Sequence, residues 1–267
     1  MNGIAADIFD RHKEPDELFL PLSSERYCRF YDLEMAEFQA DLPFYRERIT
    51  ASDEVLELGC GSGRLSRQLA ATGADITAID LSLSMLRLAK MKGSTGISYL
   101  CMDMTALALA RHFDTVIIPY HTLNLLVTEE RIKKCLAQVR TVLKGDGKLL
   151  LQLFIPDQPL LNLGSKKLFQ FQIMELPEGG RIIKETKRGY ADEQLTLEER
   201  YRVRPGQPGT ANEDLNHNLH LAAFPAEKWQ KIFHDSGFII RQQFSGYKLA
   251  PFTPGQDTCL FIEAGRI

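Results

Sequence analysis

The stretch Glu54-Val55-Leu56-Glu57-Leu58-Gly59-Cys60-Gly61-Ser62-Gly63-Arg64 constrains this chain more than any other. A short apolar run leads into three glycines at alternate positions and then into an amphipathic segment at 65–71. Glycine permits a sharp turn and lets a ligand come closer to the backbone than any Cβ would allow. Beyond it, short apolar runs and amphipathic segments follow one another at 75–79, 85–91, 97–101, 115–119, 131–143 and 148–154. Strand then helix, repeated, predicts an open, mostly parallel sheet with helices on both faces. Residues 54–155 are therefore expected to form a doubly wound α/β core.

The flanks have a different texture. Residues 24–50 are aromatic and charged with helical spacing, and Asp41 with Pro43 reads as a cap and first-turn proline opening a second short helix. After Pro156, Phe169, Phe171 and Ile173 alternate. Leu195, Leu197, Tyr201 and Val203 then alternate against Thr196, Glu198, Arg200, Arg202 and Arg204, a period of two that predicts half-exposed antiparallel strands. The turn-rich 189–194 joins two such runs as a hairpin, and a strand is expected near 214–223. Helical spacing at 226–236 ends at Gly237, a C-cap signal, and strands at 238–244 and 257–264 close the sheet. The chain is thus expected to carry an N-terminal helical lid at 1–50, a core at 51–164 and 225–267, and an antiparallel insertion at 165–224.

Composition excludes several classes. With 267 residues, 44% hydrophobic and 25% charged, the chain has the makings of a globular core rather than of a disordered or fibrous protein. A net charge of −3 gives no overall basic field, which disfavours nucleic acid as partner. Five dispersed cysteines without a C-x-x-C pair read as reduced thiols in a cytosol, with no metal site at zinc spacing. Charges at 10–14 interrupt the first twenty residues, so no cleavable signal is expected there. No apolar run reaches the ~18 residues of a membrane span. A cytoplasmic location is the expectation.

Asp80 follows the glycine loop at the end of the 76–79 apolar run, where a carboxylate can accept the hydroxyls of a ribose. A nucleoside-bearing cofactor is implied. A dinucleotide fingerprint would want a small residue at position 64, which is Arg64 here. Glu57 also sets an anion beside the turn, unhelpful to a pyrophosphate and acceptable to a cationic ligand. These features point to S-adenosylmethionine, which carries an ammonium and a sulfonium and no phosphate.

At these residues the chain resembles the class I S-adenosylmethionine-dependent methyltransferases. V-L-E-L-G-C-G-S-G-R is similar to the first motif of that family, A-I-D-L-S-L-S-M-L to the second and C-M-D-M to the acidic loop beside adenine. F-D-T-V-I-I-P-Y resembles its fourth strand and V-L-K-G-D-G-K-L-L-L-Q-L-F its fifth. The insertion and H-L-A-A-F-P-A-E-K-W are most similar to small-molecule, sugar-amine N-methyltransferases. The resemblance implies a Rossmann-like, seven-stranded, mostly parallel sheet. It also implies a cofactor shell. Gly59, Cys60, Gly61 and Gly63 would floor the methionine portion and Glu57 would order the loop. Asp80 would hold the ribose, Leu81 and Met85 would meet adenine, and Asp103 and Met104 would read its edge. Tyr31 and Tyr45 would lid the cofactor, Arg64 would meet its carboxylate, and Pro119 would end the fourth strand beside it.

For methyl transfer the protein chiefly aligns the nucleophile, and a histidine can take its proton near neutral pH. His12 and His112 sit in charged, exposed segments. His121 lies just past the fourth strand, with Tyr120 beside the methyl path and Asn124 as a further acceptor-positioning group. On the strand near 220, Leu215, His217, Leu219 and Leu221 share one face, and Asn216, Asn218 and His220 share the other. If that polar face looks into the cleft, His220 is the base, matching the histidine of the resembling subgroup. The expected acceptor is a small molecule with an N or O nucleophile, and a homodimer through the insertion is left open. The competing readings are methylation of protein or RNA and a non-catalytic binding protein.

Overall fold

The computed structural model describes residues 21, 24–93, 95–164, 166–255 and 257–267. His12 and the charged N-terminal segment lie outside them. Helix α1 (Glu25–Met35) starts at Ser24, whose side chain accepts the Tyr27 N–H, and buries Tyr27, Cys28, Phe30 and Met35. This is the ordinary serine cap. Helix α2 (Leu42–Arg46) has Pro43 in its first turn. Asp41 stands at its N-cap without a side-chain bond to the helix, because both carboxylate oxygens are taken by Arg64.

Strands and helices then alternate: β1 (Glu54–Leu58), α3 (Arg64–Ala70), β2 (Asp75–Asp80), α4 (Leu83–Met91), β3 (Ile97–Cys101) and β4 (Phe113–Ile118). A 3-10 turn at Thr122–Leu126 precedes α5 (Glu129–Val142), β5 (Leu143–Phe154) and α6 (Gln158–Leu161). The insertion supplies β6 (Leu168–Glu175), β7 (Gly180–Ala191), β8 (Gln194–Pro205) and β9 (Glu213–Ala222). The chain closes with α7 (Ala226–Asp235), β10 (Phe238–Ser245), β11 (Ala250–Pro251) and β12 (Cys259–Arg266).

The main sheet runs β11-β10-β12-β5-β4-β1-β2-β3. Strands β1 to β5 pair in parallel, whereas β12 runs antiparallel to both β5 and β10. The family resemblance implies seven strands. The eighth, β11, contributes two residues to the edge, too short for any periodicity to register. Val116 and Ile118 fall in one apolar cluster with Leu136 and Trp229, while Ile117 falls in another with Val55, Leu65 and Phe261. Both faces of the sheet are therefore covered, as a parallel sheet requires. The order in which strands are added to the sheet reverses between β1 and β4, and the crevice at such a switch point is where open α/β sheets bind ligands.

The second sheet is a meander, β6-β7-β8-β9. Its tight hairpin has Ala191 opposite Gln194, with Asp192 and Glu193 both at positive φ, +50° and +59°, the twist-matched two-residue turn. One face of this sheet carries Ile182, Tyr201, Val203 and Leu215 against Tyr27 and Phe30 of α1 and Met85 of α4. Lys184 crosses to Glu34 of α1 at 2.7 Å, and Arg29 reaches Glu178 at 2.5 Å.

The covered face is the leucine-bearing one, which corrects the expectation that the polar side of β9 looks into the cleft. Leu215, Leu221 and His217 are buried, and the His217 ring lies 4.2 Å from that of Tyr27. His220 is exposed on the opposite face, with Nδ1 3.3 Å from Thr196 Oγ1 on the neighbouring strand. Burying an apolar face against the core outweighs turning polar groups toward a ligand.

Candidate functional site

The loop after β1 is built on φ values that only glycine adopts freely: +72° at Gly59, +54° at Gly61 and +72° at Gly63. The three serve different purposes. A Cβ on Gly59 would come 2.3 Å from Thr122 Cγ2, and one on Gly63 would come 2.4 Å from the Tyr99 hydroxyl. These two let the loop pack on the turn after β4 and on β3. Among the described residues a Cβ on Gly61 would have only Tyr31 Cε1 near it, at 3.7 Å. Gly61 thus faces the space under α1, with the Tyr31 ring as its roof.

Asp80 ends β2 beside this loop. Its carboxylate accepts the Gly61 N–H and the Ser82 N–H, each at 2.8 Å. Burial pushes its pKa up against those bonds. Leu81 next to it is 69% exposed, an apolar side chain held open beside a polar cradle. Asp103, past β3, accepts the Thr105 N–H at 2.8 Å, which lowers its pKa. Met104 is partly buried against the core beside it.

The other half of the site is the turn after β4. Pro119 is buried, and its carbonyl accepts the Thr122 N–H and hydroxyl. Tyr120 and His121 both have left-handed backbone, at φ +49° and +62°, which costs a non-glycine residue about 1–3 kcal/mol and marks functional sites. The surrounding bonds hold it: His121 N–H donates to the Gln152 carbonyl at 3.2 Å, and Asn124 N–H to the His121 carbonyl at 2.9 Å. His121 is partly buried as a residue, and its Nδ1 is sealed from water without a hydrogen-bond partner. Burial pulls its pKa down to about 4, so it is neutral at pH 7.

The aromatic wall beside this turn is assembled from residues far apart in the sequence, Phe38, Tyr120 and Tyr247, and carries no local signal. Phe38 stands edge-on to Tyr120 at 5.3 Å and to Tyr247 at 5.4 Å. Gln152 Nε2 donates to the Tyr247 hydroxyl at 3.0 Å, while its Oε1 is buried without a partner. The signal was a lone amide inside the L-L-L-Q-L-F strand. Glu199 gave a similar signal, a charge on the apolar face of β8 between Leu197 and Tyr201. It meets Lys184 at 2.8 Å, and Lys184 also holds Glu34.

Several expected contacts lie beneath the site rather than in it. Arg64 donates to both oxygens of Asp41, at 2.8 and 2.5 Å, and to the Phe38 carbonyl at 3.1 Å. It ties the start of α3 to the segment before α2 rather than reaching for a ligand carboxylate. Tyr45 is fully buried among Phe44, Val55 and Leu65, so it is a core residue and no lid. Cys60 and Met85 likewise turn their side chains into apolar clusters. Glu57, 1% exposed, accepts the Ser66 hydroxyl and so ties β1 to the first turn of α3. Burial raises its pKa to about 7. Asn124 is consumed structurally: its Nδ2 donates to the carbonyls of Phe154 and Ala222, and its Oδ1 accepts the Phe154 N–H. His112 is exposed, as expected. Among the described residues no cluster could hold a metal ion, and no helix is long and apolar enough to cross a membrane.

Residues 55–147 match the family described as methyltransferase domain. A curated methyltransferase of Geobacillus sp. (strain WCH70) is 30% identical over 139 residues, which cover 48% of this chain and 56% of that protein. The chain spans about half the length of the curated relatives it matches. Among solved structures, an S-adenosylmethionine-dependent methyltransferase from Clostridium acetobutylicum superposes with a TM-score of 0.74 at 20% identity, covering 90% of this chain and 98% of that one. The sugar N-methyltransferase KedS8 from Streptoalloteichus sp. gives 0.73 at 18% identity, covering 90% and 93%.

Proposed function

We propose that this chain, which carries a methyltransferase domain at 55–147 on the fold of the class I S-adenosylmethionine-dependent enzymes, transfers a methyl group to the N or O nucleophile of a small molecule. The observation that carries the reading is the pairing of an open Gly61 with Asp80. The loop there has no side chain, and the adjoining carboxylate is already aimed by two backbone amides. The residues fit the cofactor. Gly61 gives its methionine portion room, Asp80 would take the ribose hydroxyls, Leu81 and Met104 would flank the adenine, Asp103 would meet its edge and Tyr31 would cover it. S-adenosylmethionine, when bound, supplies an electrophilic methyl group on a sulfonium.

The chain's own residues then have three tasks. Phe38, Tyr120 and Tyr247 wall the acceptor side and keep water out, which strengthens the polar interactions inside. A turn of the His121 ring would bring its buried Nδ1 to an N–H or O–H of the acceptor, where the neutral imidazole would align the nucleophile and take its proton as the new bond forms. The tie from Lys184 to Glu34 holds the insertion over α1, so that the cover closes as one piece. The structure supports a small acceptor over a nucleic acid. Arg200 and Arg204 are paired with Asp214, and Arg202 with Glu185, so the arginine strand offers no free basic surface. Relatives of the KedS8 kind make an amino sugar the first acceptor class to try.

Calorimetry is the test. S-adenosylmethionine and S-adenosylhomocysteine should bind, and NAD should not; the reverse pattern would remove the reading. Asp80→Ala should weaken cofactor binding by about 1–3 kcal/mol, the worth of a charged hydrogen-bond acceptor. An unchanged dissociation constant would take Asp80 out of the site.

A further inference from the structure

We propose that two copies of this chain join edge to edge through strand β6, in antiparallel register about a twofold axis at Phe171, making one continuous sheet from the two insertions. Among the described residues strand β6 is an edge strand, paired only with β7. Natural edges are normally protected by proline, inward charge or a bulge. The register of β6 on β7 is unbroken over all eight residues, and the strand has no proline and no charge before Glu175. It is also apolar where it is open: Leu168 is 46% exposed, Phe169 57%, Phe171 66% and Ile173 51%. The opposite edge, β9, shows water a polar face of Asp214, Asn216, Asn218 and His220. The two edges of one sheet are thus treated differently.

The sequence of the open edge names its occupant. Residues 167–175 read Lys-Leu-Phe-Gln-Phe-Gln-Ile-Met-Glu. Folded back on itself antiparallel about Phe171, this segment matches itself at every position. Phe171 meets the partner's Phe171, Phe169 meets the partner's Ile173, and Gln170 meets the partner's Gln172. Leu168 meets the partner's Met174, and Lys167 meets the partner's Glu175. Apolar falls on apolar, amide on amide, and opposite charges close both ends. A twofold contact must be self-complementary in this way. Directly opposed aromatic, β-branched and opposite-charge pairs are those that stabilise an antiparallel ladder. On the outer face Phe169, Phe171 and Ile173 of both copies would form one apolar stripe, flanked by Lys187 and Glu185 of β7.

Sedimentation velocity on the full chain tests this. The wild type should sediment at twice the 30.2 kDa monomer mass. Glu175→Lys puts lysine opposite lysine at both ends and should weaken the dimer by about tenfold. Lys167→Glu should do the same. The double variant Lys167→Glu/Glu175→Lys should restore the dimer, even though Lys167 also pairs with Glu198 of its own chain, a loss that the double variant does not repair. Phe171→Cys in a Cys101→Ser background should form a covalent dimer on mild oxidation, since the axis brings that position against itself. A wild type that stays monomeric up to 100-micromolar-range concentrations overturns the proposal. So does a dimer indifferent to Glu175→Lys, which would place the contact on another face, or one that Phe171→Cys fails to link. Unchanged cofactor binding by these variants would separate failure of the interface from failure of the proposed activity.

Discussion

The two sheets of this molecule obey the same alternation and differ in how many faces they cover. In the main sheet both faces of β1, β4 and β5 are buried, so a strand identified is a strand placed. The insertion covers one face only, and for β9 the choice of face decides whether a histidine is a surface residue or part of the interior. His217 and His220 are three residues apart and end on opposite sides. The strained backbone follows the same division. In the main sheet left-handed Tyr120 and His121 are held beside the glycine loop, whereas in the insertion Asp192 and Glu193 merely close a hairpin.

The largest expected effect tests whether chemistry resides wholly on the core side of this divide. His121→Ala should lower turnover by about 10²–10⁴, the range for a positioned base, at unchanged cofactor affinity in calorimetry. A variant retaining full turnover would move the proton acceptor elsewhere. Next comes the bond that joins the two regions. Asn124 links the 3-10 turn to Phe154 of β5 and to Ala222 of β9. Asn124→Leu strands a buried N–H and two carbonyls, so it should cost about 2–4 kcal/mol in urea unfolding. A loss below 1 kcal/mol would mean that water replaces the amide.

Those contacts show what the sequence could and could not tell. The glycine loop and Asp80 were legible because their demands are local: positive φ at fixed positions and a carboxylate at a strand end. The alternation of apolar runs carried the sheet. Asn124 was misjudged as an acceptor-positioning group because its partners lie 30 and 98 residues away. Arg64 was assigned to a ligand because nothing in its own segment reveals Asp41, 23 residues earlier. Tyr45 has the composition of a lid aromatic, and only the packing of α2 on α3 makes it core. The polar face of β9 was assigned to the cleft because alternation sorts residues into two faces without saying which is covered.

Two buried groups sharpen the comparison through pH. Folding lowers the pKa of His121 to about 4 from 6.5, so its contribution to stability is complete above pH 6.5 and lost as pH falls through 4. Folding raises the pKa of Glu57 to about 7 from 4.5, so its contribution is complete below pH 4.5 and lost as pH rises through 7. Across pH 4.5–6.5 the two slopes oppose each other. Glu57→Gln should therefore gain about 2–3 kcal/mol on the wild type as pH rises through that window, and His121→Ala should show the opposite trend. Urea midpoints at three pH values read both slopes. Parallel curves for wild type and both variants would mean that neither group is held as far from its ordinary protonation as its burial implies.

The smallest effect belongs to the insertion's outer face. His220 is exposed, its Nδ1 lies 3.3 Å from the Thr196 hydroxyl, and β9 stands between it and α1. Surface substitutions of this kind stay within about 0.5 kcal/mol, so His220→Ala should leave stability, cofactor affinity and turnover unchanged. The control is His217→Ala on the same strand. It removes a buried ring packed at a tilt against Tyr27 and should destabilise the protein by about 1–3 kcal/mol through the cavity it leaves. Equal effects from the two would break the assignment of faces, and with it the argument that the covered side of the insertion is the leucine-bearing one. A loss of turnover confined to His220→Ala would go further. It would require the outer face of one copy to reach the acceptor cleft of another, because no side chain on that face can turn through its own sheet.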